Sequence, residues 1–261
     1  SWKDNAMADP VLTGNTGPVV TIRLNRPEKK NAINRAMYEA LTAALRAAAT
    51  SRSVRVVVLR GGDDFSAGND IADFLASGKP AGMQPVLDFL DVLAGFPKPL
   101  IAGVRGAAIG IGTTLLLHCD VVLATPSARF ALPFVQLGLV PEAASSLLLP
   151  AAVGRLKASW WLLTGEGFDA EAARDAGLIT RLIAETTLEM ELDAVAARLA
   201  ALPPAAIRRT KALLREPQEA AVREAMTREV EAFGAQLKSA EAKEAFTAFL
   251  EKRKPDFSRF E

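Results

Sequence analysis

The stretch Val104-Arg-Gly-Ala-Ala-Ile-Gly-Ile-Gly-Thr-Thr114 sets three glycines, Gly106, Gly110 and Gly112, between two apolar runs at 100–104 and 115–117. A chain reads this way where a strand turns sharply into a buried helix. Glycine lets the backbone approach a bound group closely. The first turn of a helix carries free N–H groups and the positive end of its dipole. Residues 110–112 are therefore placed to offer backbone donors to an oxygen that gains negative charge. Downstream, Leu139-Val-Pro-Glu-Ala-Ala-Ser-Ser146 holds one carboxylate, Glu142, in otherwise apolar company. Such a residue is either a helix-start acid, stabilised by the dipole by a few tenths to about 1 kcal/mol, or a general base.

Working outward, Val20, Ile22 and Leu24 alternate with polar residues as a half-buried strand does. Asn34 is suited to cap a helix over Met37, Leu41, Leu45 and Ala48. A second strand over 54–59 is apolar apart from Arg55 and reads as buried on both faces. Strand, helix and strand form a βαβ unit with a parallel pair. The turn Phe65-Ser-Ala-Gly-Asn-Asp-Ile71 follows, just past a strand's carboxyl end, where open α/β sheets bind ligands. A mobile loop is expected at 76–84, a helix at 85–93, a third strand at 100–104 and a fourth at 121–124. The strand–crossover–strand pattern thus recurs three times, a layered α/β arrangement. Beyond Glu142 the chain is mostly helical, with helices at 143–153, 156–163, 187–200, 204–214, 217–237 and 239–251. Asp169 caps a short helix ending at Gly177, and 178–183 reads as a short strand. Pro203-Pro204 marks a boundary between a core over 7–200 and a helical region over 201–261. A helical tail with one apolar face must bury it against its own core or another subunit.

Composition narrows the function. The net charge is +1 in 261 residues, which points to neither nucleic acid nor an anionic membrane as partner. The longest uncharged apolar run, 106–117, is too short to span a bilayer. One cysteine, Cys119, excludes an internal disulfide and fits a reducing, cytoplasmic setting. With one histidine, His118, beside it, neither a zinc site nor a Cys–His nucleophile is expected, and both residues read as core. Residues 1–6 precede Met7 and are expected to be a non-native remnant.

Four segments in this order resemble the crotonase family, the enoyl-CoA hydratase/isomerase superfamily. They are Asn25-Arg-Pro-Glu-Lys-Lys-Asn-Ala-Ile33, Phe65-Ser-Ala-Gly-Asn-Asp70, Gly106-Ala-Ala-Ile-Gly-Ile-Gly112 with Cys119-Asp120, and Phe249-Leu-Glu-Lys-Arg-Lys-Pro255. The resemblance implies an α/β crotonase (ClpP-like) fold of repeated ββα-type turns with a C-terminal helical, trimerising region. It also implies acyl-CoA thioester substrates, with coenzyme A as part of the substrate and no separate cofactor or metal, and a homotrimer or dimer of trimers. Two backbone N–H groups hold the thioester oxygen in this family. Carried over by position, they fall on Ala67 and Ile111. By the same resemblance Ala67, Gly68, Asn69, Asp70 and Ile71, with Gly110 and Phe134, line the substrate path. Lys29, Phe249 and Lys252 are candidates for the phosphates and adenine. Asp70 also reads as the cap of the following helix.

The departures from the family pattern are more informative. Hydratases of the family carry two glutamates at positions that fall here on Thr114 and Phe134, neither of which accepts a proton as a carboxylate does. Syn addition of water needs a held and activated water. Thr114 is expected to bond its hydroxyl to its own helix. The segment around Glu142 is similar to the Δ3,Δ2-enoyl-CoA isomerase branch, whose catalytic glutamate lies at this site. One carboxylate suffices for a 1,3-proton shift, and an apolar setting would raise its pKa and strengthen it as a base. The reading is an enoyl-CoA isomerase. The alternatives are a hydratase or another lyase of the family and, in another class, a catalytically weak CoA-ester-binding or assembly protein. The variable region 71–95 is expected to shape the acyl pocket.

Overall fold

A computed structural model describes residues 9–76 and 83–260, with side chains for 9–73 and 83–260. Residues 77–82, in the loop expected at 76–84, and residues 1–6 lie outside the described residues. The chain runs β1 (Val11–Thr16), β2 (Val19–Leu24), α1 (Arg35–Thr50), β3 (Val56–Arg60), α2 (Ile71–Ala76), α3 (Gln84–Ala94), β4 (Leu100–Val104) and β5 (Ala107–Ile109). Next come α4 (Ile111–Thr114), β6 (Val121–Ala124), β7 (Arg129–Ala131), α5 (Ser145–Val153), α6 (Arg155–Thr164) and β8 (Phe168–Asp169). The remainder is α7 (Ala170–Asp175), β9 (Arg181–Leu182), α8 (Leu188–Ala201), α9 (Pro204–Arg215), α10 (Glu219–Gln236) and α11 (Ala240–Leu250).

The main sheet has the order β1-β2-β3-β4-β6-β9. β1 and β2 form an antiparallel hairpin, and every other neighbouring pair is parallel. The three expected crossovers join adjacent strands, β2 to β3, β3 to β4 and β4 to β6. β3 shows why its run lacks alternation. Val57 and Leu59 enter the core under α1 and α3, while Val56 and Val58 enter a second core under α8. A strand buried on both faces has no polar side to show.

Four strands were not legible in the sequence. β1 carries Gly14 and Asn15, residue types depleted in strands. β5, β7 and β8 have two or three residues each, too short for any period, and form a second sheet in the order β5-β7-β8. The glycine stretch accordingly differs from expectation: β4 does not pass directly into a helix, because β5 intervenes between Gly106 and Gly110. The strand expected over 178–183 shortens to β9, and the helix expected from 143 begins at Ser145. The caps hold. Asn34 accepts from the Met37 N–H at 3.0 Å, and Asp169 from the Ala172 N–H at 2.8 Å.

The helices beyond residue 201 share the main core, to which α10 and α11 contribute Phe233, Ala242 and Phe246. α9 is fixed differently. Its buried Lys211 donates to the Lys98 carbonyl and to Asp120, each at 2.6 Å, while Asp120 accepts the Leu100 N–H at 2.8 Å. Asp120 of the resemblance is therefore a structural tie between the sheet and α9.

Two glycines position the site. Gly110 has φ +54° and ψ −118°, which side-chain-bearing residues rarely adopt. A Cβ on Gly112 would lie 2.7 Å from the Ser66 carbonyl oxygen. Gly112→Ala should force the two segments apart and destabilise the fold by about 1–3 kcal/mol; an unchanged denaturation midpoint would contradict this account.

Candidate active site

The early turn Asn25–Ile33 exists to hold the segment 65–70. Lys30 and Asn31 take left-handed backbone conformations, φ 49° and 55°. Asn31, buried, accepts the Arg26 N–H at 2.7 Å and donates to the Asp64 carbonyl at 2.7 Å. Ser66 donates its hydroxyl to the Asn31 carbonyl at 2.9 Å. The Ile33 N–H bonds to the Gly68 carbonyl at 2.7 Å, and the Asp70 N–H to the Ile33 carbonyl at 2.9 Å. On the other side, Ser66 donates to the Ala107 carbonyl at 2.8 Å and accepts from the Ile109 N–H at 2.9 Å. The two turns read separately from the sequence are thus welded to each other through β5.

These bonds correct one assignment. The Ala67 N–H donates to the Lys30 carbonyl at 2.9 Å, so it is not available to a thioester oxygen. Asn69 pairs with Ile33 as an isolated parallel bridge in which the bonds are made by Gly68 and Asp70, so the N–H of Asn69 itself points to the other side. Among the described residues no acceptor meets the N–H of Asn69, and none meets that of Ile111, the first residue of α4. The available pair is Asn69 and Ile111. The sequence signal was present, since both follow a positive-φ glycine, Gly68 (φ 93°) and Gly110. The Asn69 side chain is fixed as well, because Oδ1 accepts from the Tyr38 hydroxyl at 2.5 Å.

Both residues open onto a cavity of about 590 Å³. Its lining includes the predicted Lys29, Ala67, Gly68, Asp70, Ile71, Gly110, Phe134 and Phe249. Gln136, Leu137, Leu139, Phe233, Phe246 and Leu250 also line it and were not singled out as site residues from the sequence. Lys252, exposed beyond the end of α11, is not in the lining. Its neighbour Arg253 is taken by the Glu244 carboxylate at 2.5 and 3.1 Å, so the basic C-terminal run is partly structural. Asp70 caps α2 as expected, accepting from the Ala72 and Asp73 N–H groups at 3.1 and 3.3 Å. Burial alone would raise its pKa, but these bonds and the Arg26 guanidinium at 2.7 Å outweigh it and hold the carboxyl below its usual range.

Glu142 lies outside that lining, on an adjoining cavity of about 20 Å³, and Phe233 forms part of the wall of both. It is 7% exposed, and among the described residues its Oε1 has no hydrogen-bond partner. Burial first, and the charge of Glu229 second, push its pKa up to about 8. The Tyr38 hydroxyl that holds Asn69 feels the Glu142 charge, and burial and that charge together raise its pKa well above the usual value. The carboxyl is thus linked electrostatically to the residue that supplies an N–H to the larger cavity.

The residues at the two hydratase-type positions behave differently from one another. Phe134 is buried and lines the cavity. Thr114 is fully buried and, contrary to expectation, its hydroxyl has no partner among the described residues; its neighbour Thr113 donates across to the Ala108 carbonyl of β5. His118 is a core residue. Its Nε2 donates to the Ala143 carbonyl at 2.8 Å, and burial drives its pKa down to about 4. Burial likewise pushes the Cys119 thiol up to about 12. Among the described residues no cluster of three or more His, Cys, Asp or Glu side chains is suited to hold a metal ion, and no helix is long and apolar enough to cross a membrane.

Known proteins resemble this chain over most of its length. The family described as enoyl-CoA hydratase/isomerase matches residues 14–259. The chain is 38% identical over 242 residues to the 2,3-dehydroadipyl-CoA hydratase of Escherichia coli (strain K12), covering 92% of this chain and 94% of that protein. It is 37% identical over 217 residues to enoyl-CoA delta isomerase 2 of Rattus norvegicus, covering 80% of this chain and 55% of that one. The crystal structure of an enoyl-CoA hydratase/isomerase from Pseudoalteromonas atlantica T6c superposes with a TM-score of 0.91 at 42% identity, covering 95% of this chain and 99% of that one.

The raised pKa of Glu142 has a consequence for stability. Between its ordinary value of 4.5 and about 8, the folded protein holds a proton that the unfolded chain releases. Stability contributed by the protonated carboxyl is therefore complete below pH 4.5 and is lost as pH rises toward 8, with a slope of at most about 1.4 kcal/mol per pH unit. Glu142→Gln should flatten the decline of the melting temperature between pH 5 and pH 8; an identical decline in both proteins would show that Glu142 titrates normally.

Proposed function

The chain belongs to the enoyl-CoA hydratase/isomerase family, the crotonase superfamily, and from that premise we propose that this enzyme is a Δ3,Δ2-enoyl-CoA isomerase with Glu142 as its base. The observation that carries the proposal is the unpartnered buried carboxyl of Glu142, in a chain with Thr114 and Phe134 where hydratases of the family carry their two acids. Ionised Glu142 takes the proton from C2 of a 3-enoyl thioester. The electron pair moves into the carbonyl, and the dienolate oxygen is held by the N–H groups of Asn69 and Ile111. The same carboxyl, now protonated, returns the proton at C4 and leaves the 2-enoyl thioester. A preorganised donor of this type contributes roughly 10²–10³ in rate. Because burial makes Glu142 a stronger base, the proton transfer gains driving force at the cost of a smaller ionised fraction at neutral pH.

The acyl group is apolar in this proposal. The only charged side chains lining the larger cavity among the described residues are Lys29 and Asp70, and Asp70 is tied to Arg26. The rest of the wall is rich in Phe134, Leu137, Leu139, Phe233 and Phe246. A terminal carboxylate on the acyl chain would find no buried partner there. Lys29, exposed at the cavity edge, is suited to a CoA phosphate as a point charge. A hydratase is the second reading, because the chain is 38% identical to the 2,3-dehydroadipyl-CoA hydratase of Escherichia coli (strain K12).

Conversion of 3-enoyl-CoA by the intact enzyme should rise with pH through an apparent pKa near 8, and Glu142→Ala should lower kcat by at least about 10²-fold, the low end of a general-base contribution. Full activity in that variant would sink the isomerase reading, and rapid loss of the 2-enoyl absorbance with crotonyl-CoA would favour the hydratase.

The trimer belongs to the same proposal. Leu156, Trp160 and Leu163 lie four and three residues apart on α6, and Leu213 and Leu214 on α9; all five are exposed in the single chain. Apolar faces of this kind are ordinarily covered. Sedimentation should give three or six times the 27.7 kDa chain mass, and Leu156→Glu with Leu163→Glu should yield monomer. A monomeric unmodified protein would refute the assembly.

A further inference from the structure

Among the described residues the proposed mechanism leaves two buried acids unused, Glu229 and Glu244, and of these Glu244 is paired with Arg253 and Arg259. Glu229, on α10, is 6% exposed. Its Oε2 accepts the Ala144 N–H at 2.6 Å, and its Oε1 the Ser146 N–H at 2.8 Å. It faces the same small cavity as Glu142, against apolar α3 side chains such as Val86 and Leu90. The segment it grips is strained, since Ala143 and Ala144 are both left-handed, with φ 60° and 55°. Single non-glycine residues in that region cost of order 1–3 kcal/mol and persist only where surroundings over-determine them. The surroundings here are three. His118 donates to the Ala143 carbonyl at 2.8 Å, Ser145 bonds the Glu142 carbonyl through its N–H at 3.0 Å and its hydroxyl at 2.5 Å, and Glu229 accepts the Ala144 and Ser146 amides.

A capping role alone does not require this residue. α5 has no side-chain cap of its own, but a neutral Ser, Thr or Asn at the N-cap is the ordinary solution. Placing a second carboxylate in a small apolar cavity beside Glu142 is costly, because burial and like charge both disfavour ionising the two together. Two such carboxyls titrate as a pair. Burial raises the pKa of Glu229 as well, but its oxygens accept two N–H bonds that favour its charged form, whereas among the described residues Glu142 Oε1 accepts none, so the first proton resides on Glu142.

Resting on the isomerase reading, we propose that Glu229 is a positioning residue for the reaction: through the Ala144 and Ser146 amides it fixes the Glu142 backbone, and through its charge it strengthens Glu142 as a base. The other titratable groups around the pair are Tyr38 from α1, His118 from the turn after α4, and Arg228 beside Glu229. His118 changes charge only near pH 4, far from the pH range of the assay.

The test measures kcat and KM for 3-enoyl-CoA from pH 6 to 9.5 in Glu229→Gln and Glu229→Asp, with melting temperatures alongside. Glu229→Gln should lower the plateau kcat about tenfold, leave KM within threefold, and move the acid limb down by about one pH unit. Glu229→Asp keeps the charge but draws back from the amides, so kcat should fall while the limb stays in place; it also serves if the glutamine variant does not fold. In a Glu142→Gln background, Glu229→Gln should add no further loss. A lowered melting temperature with unchanged kcat and limb would reduce Glu229 to a helix cap and overturn the proposal. Equal losses with and without Glu142 would overturn it too. Full activity of Glu142→Gln alone would instead remove the base reading itself.

Discussion

The site depends on the backbone hydrogen bonds that join the segment 65–70 to β5. Ser66 bonds Ala107 and Ile109, and Phe65 bonds the Arg105 carbonyl at 2.8 Å. These bonds satisfy groups that would otherwise be buried without partners. They also fix which N–H groups remain. Ala67 faces Lys30, whereas Asn69 and Ile111 face the cavity. Because the donors belong to the main chain, their placement is set by the register of a small sheet rather than by a rotamer, and such a site costs little reorganisation when charge develops.

The opposite constraint operates at Glu142. Among the described residues its carboxyl oxygen Oε1 lacks a partner in an apolar enclosure, a state that costs stability. The fold tolerates it because the neutral form avoids the charge penalty and because the following turn is gripped by His118, Ser145 and Glu229. The core and the site thus pull in different directions at this point. Local rules are broken at 142–144, with an unsatisfied acid and two left-handed alanines, while the elements around them obey those rules closely. Such breaks concentrate where chemistry is done.

The C-terminal helices complete both halves. Phe233 and Phe246 wall the cavity, Glu229 holds the acid's turn, and Lys211 ties α9 to the sheet through Asp120. Residues more than eighty positions apart in the chain therefore share one small volume, and the helical region belongs to the site as much as the strands do.

The sequence by itself determined the order of the long elements, the three parallel crossovers, the caps at Asn34 and Asp169, and the family resemblance. These follow from local signals: apolar period, glycine at special backbone angles, and capping side chains next to the helices they start. It also identified Glu142 as the acid that remains once Thr114 and Phe134 replace carboxylates. Only the tertiary structure decided that the Ala67 amide is occupied and the Asn69 amide is not, that β5, β7 and β8 form a second sheet, that the Thr114 hydroxyl is left unpaired, and that Glu229 meets Glu142. Each of those is a pairing between segments distant in the chain. A three-residue strand has no period, and a hydrogen bond from Ser66 to Ala107 or from Ala144 to Glu229 leaves no mark on the residues next to it in sequence.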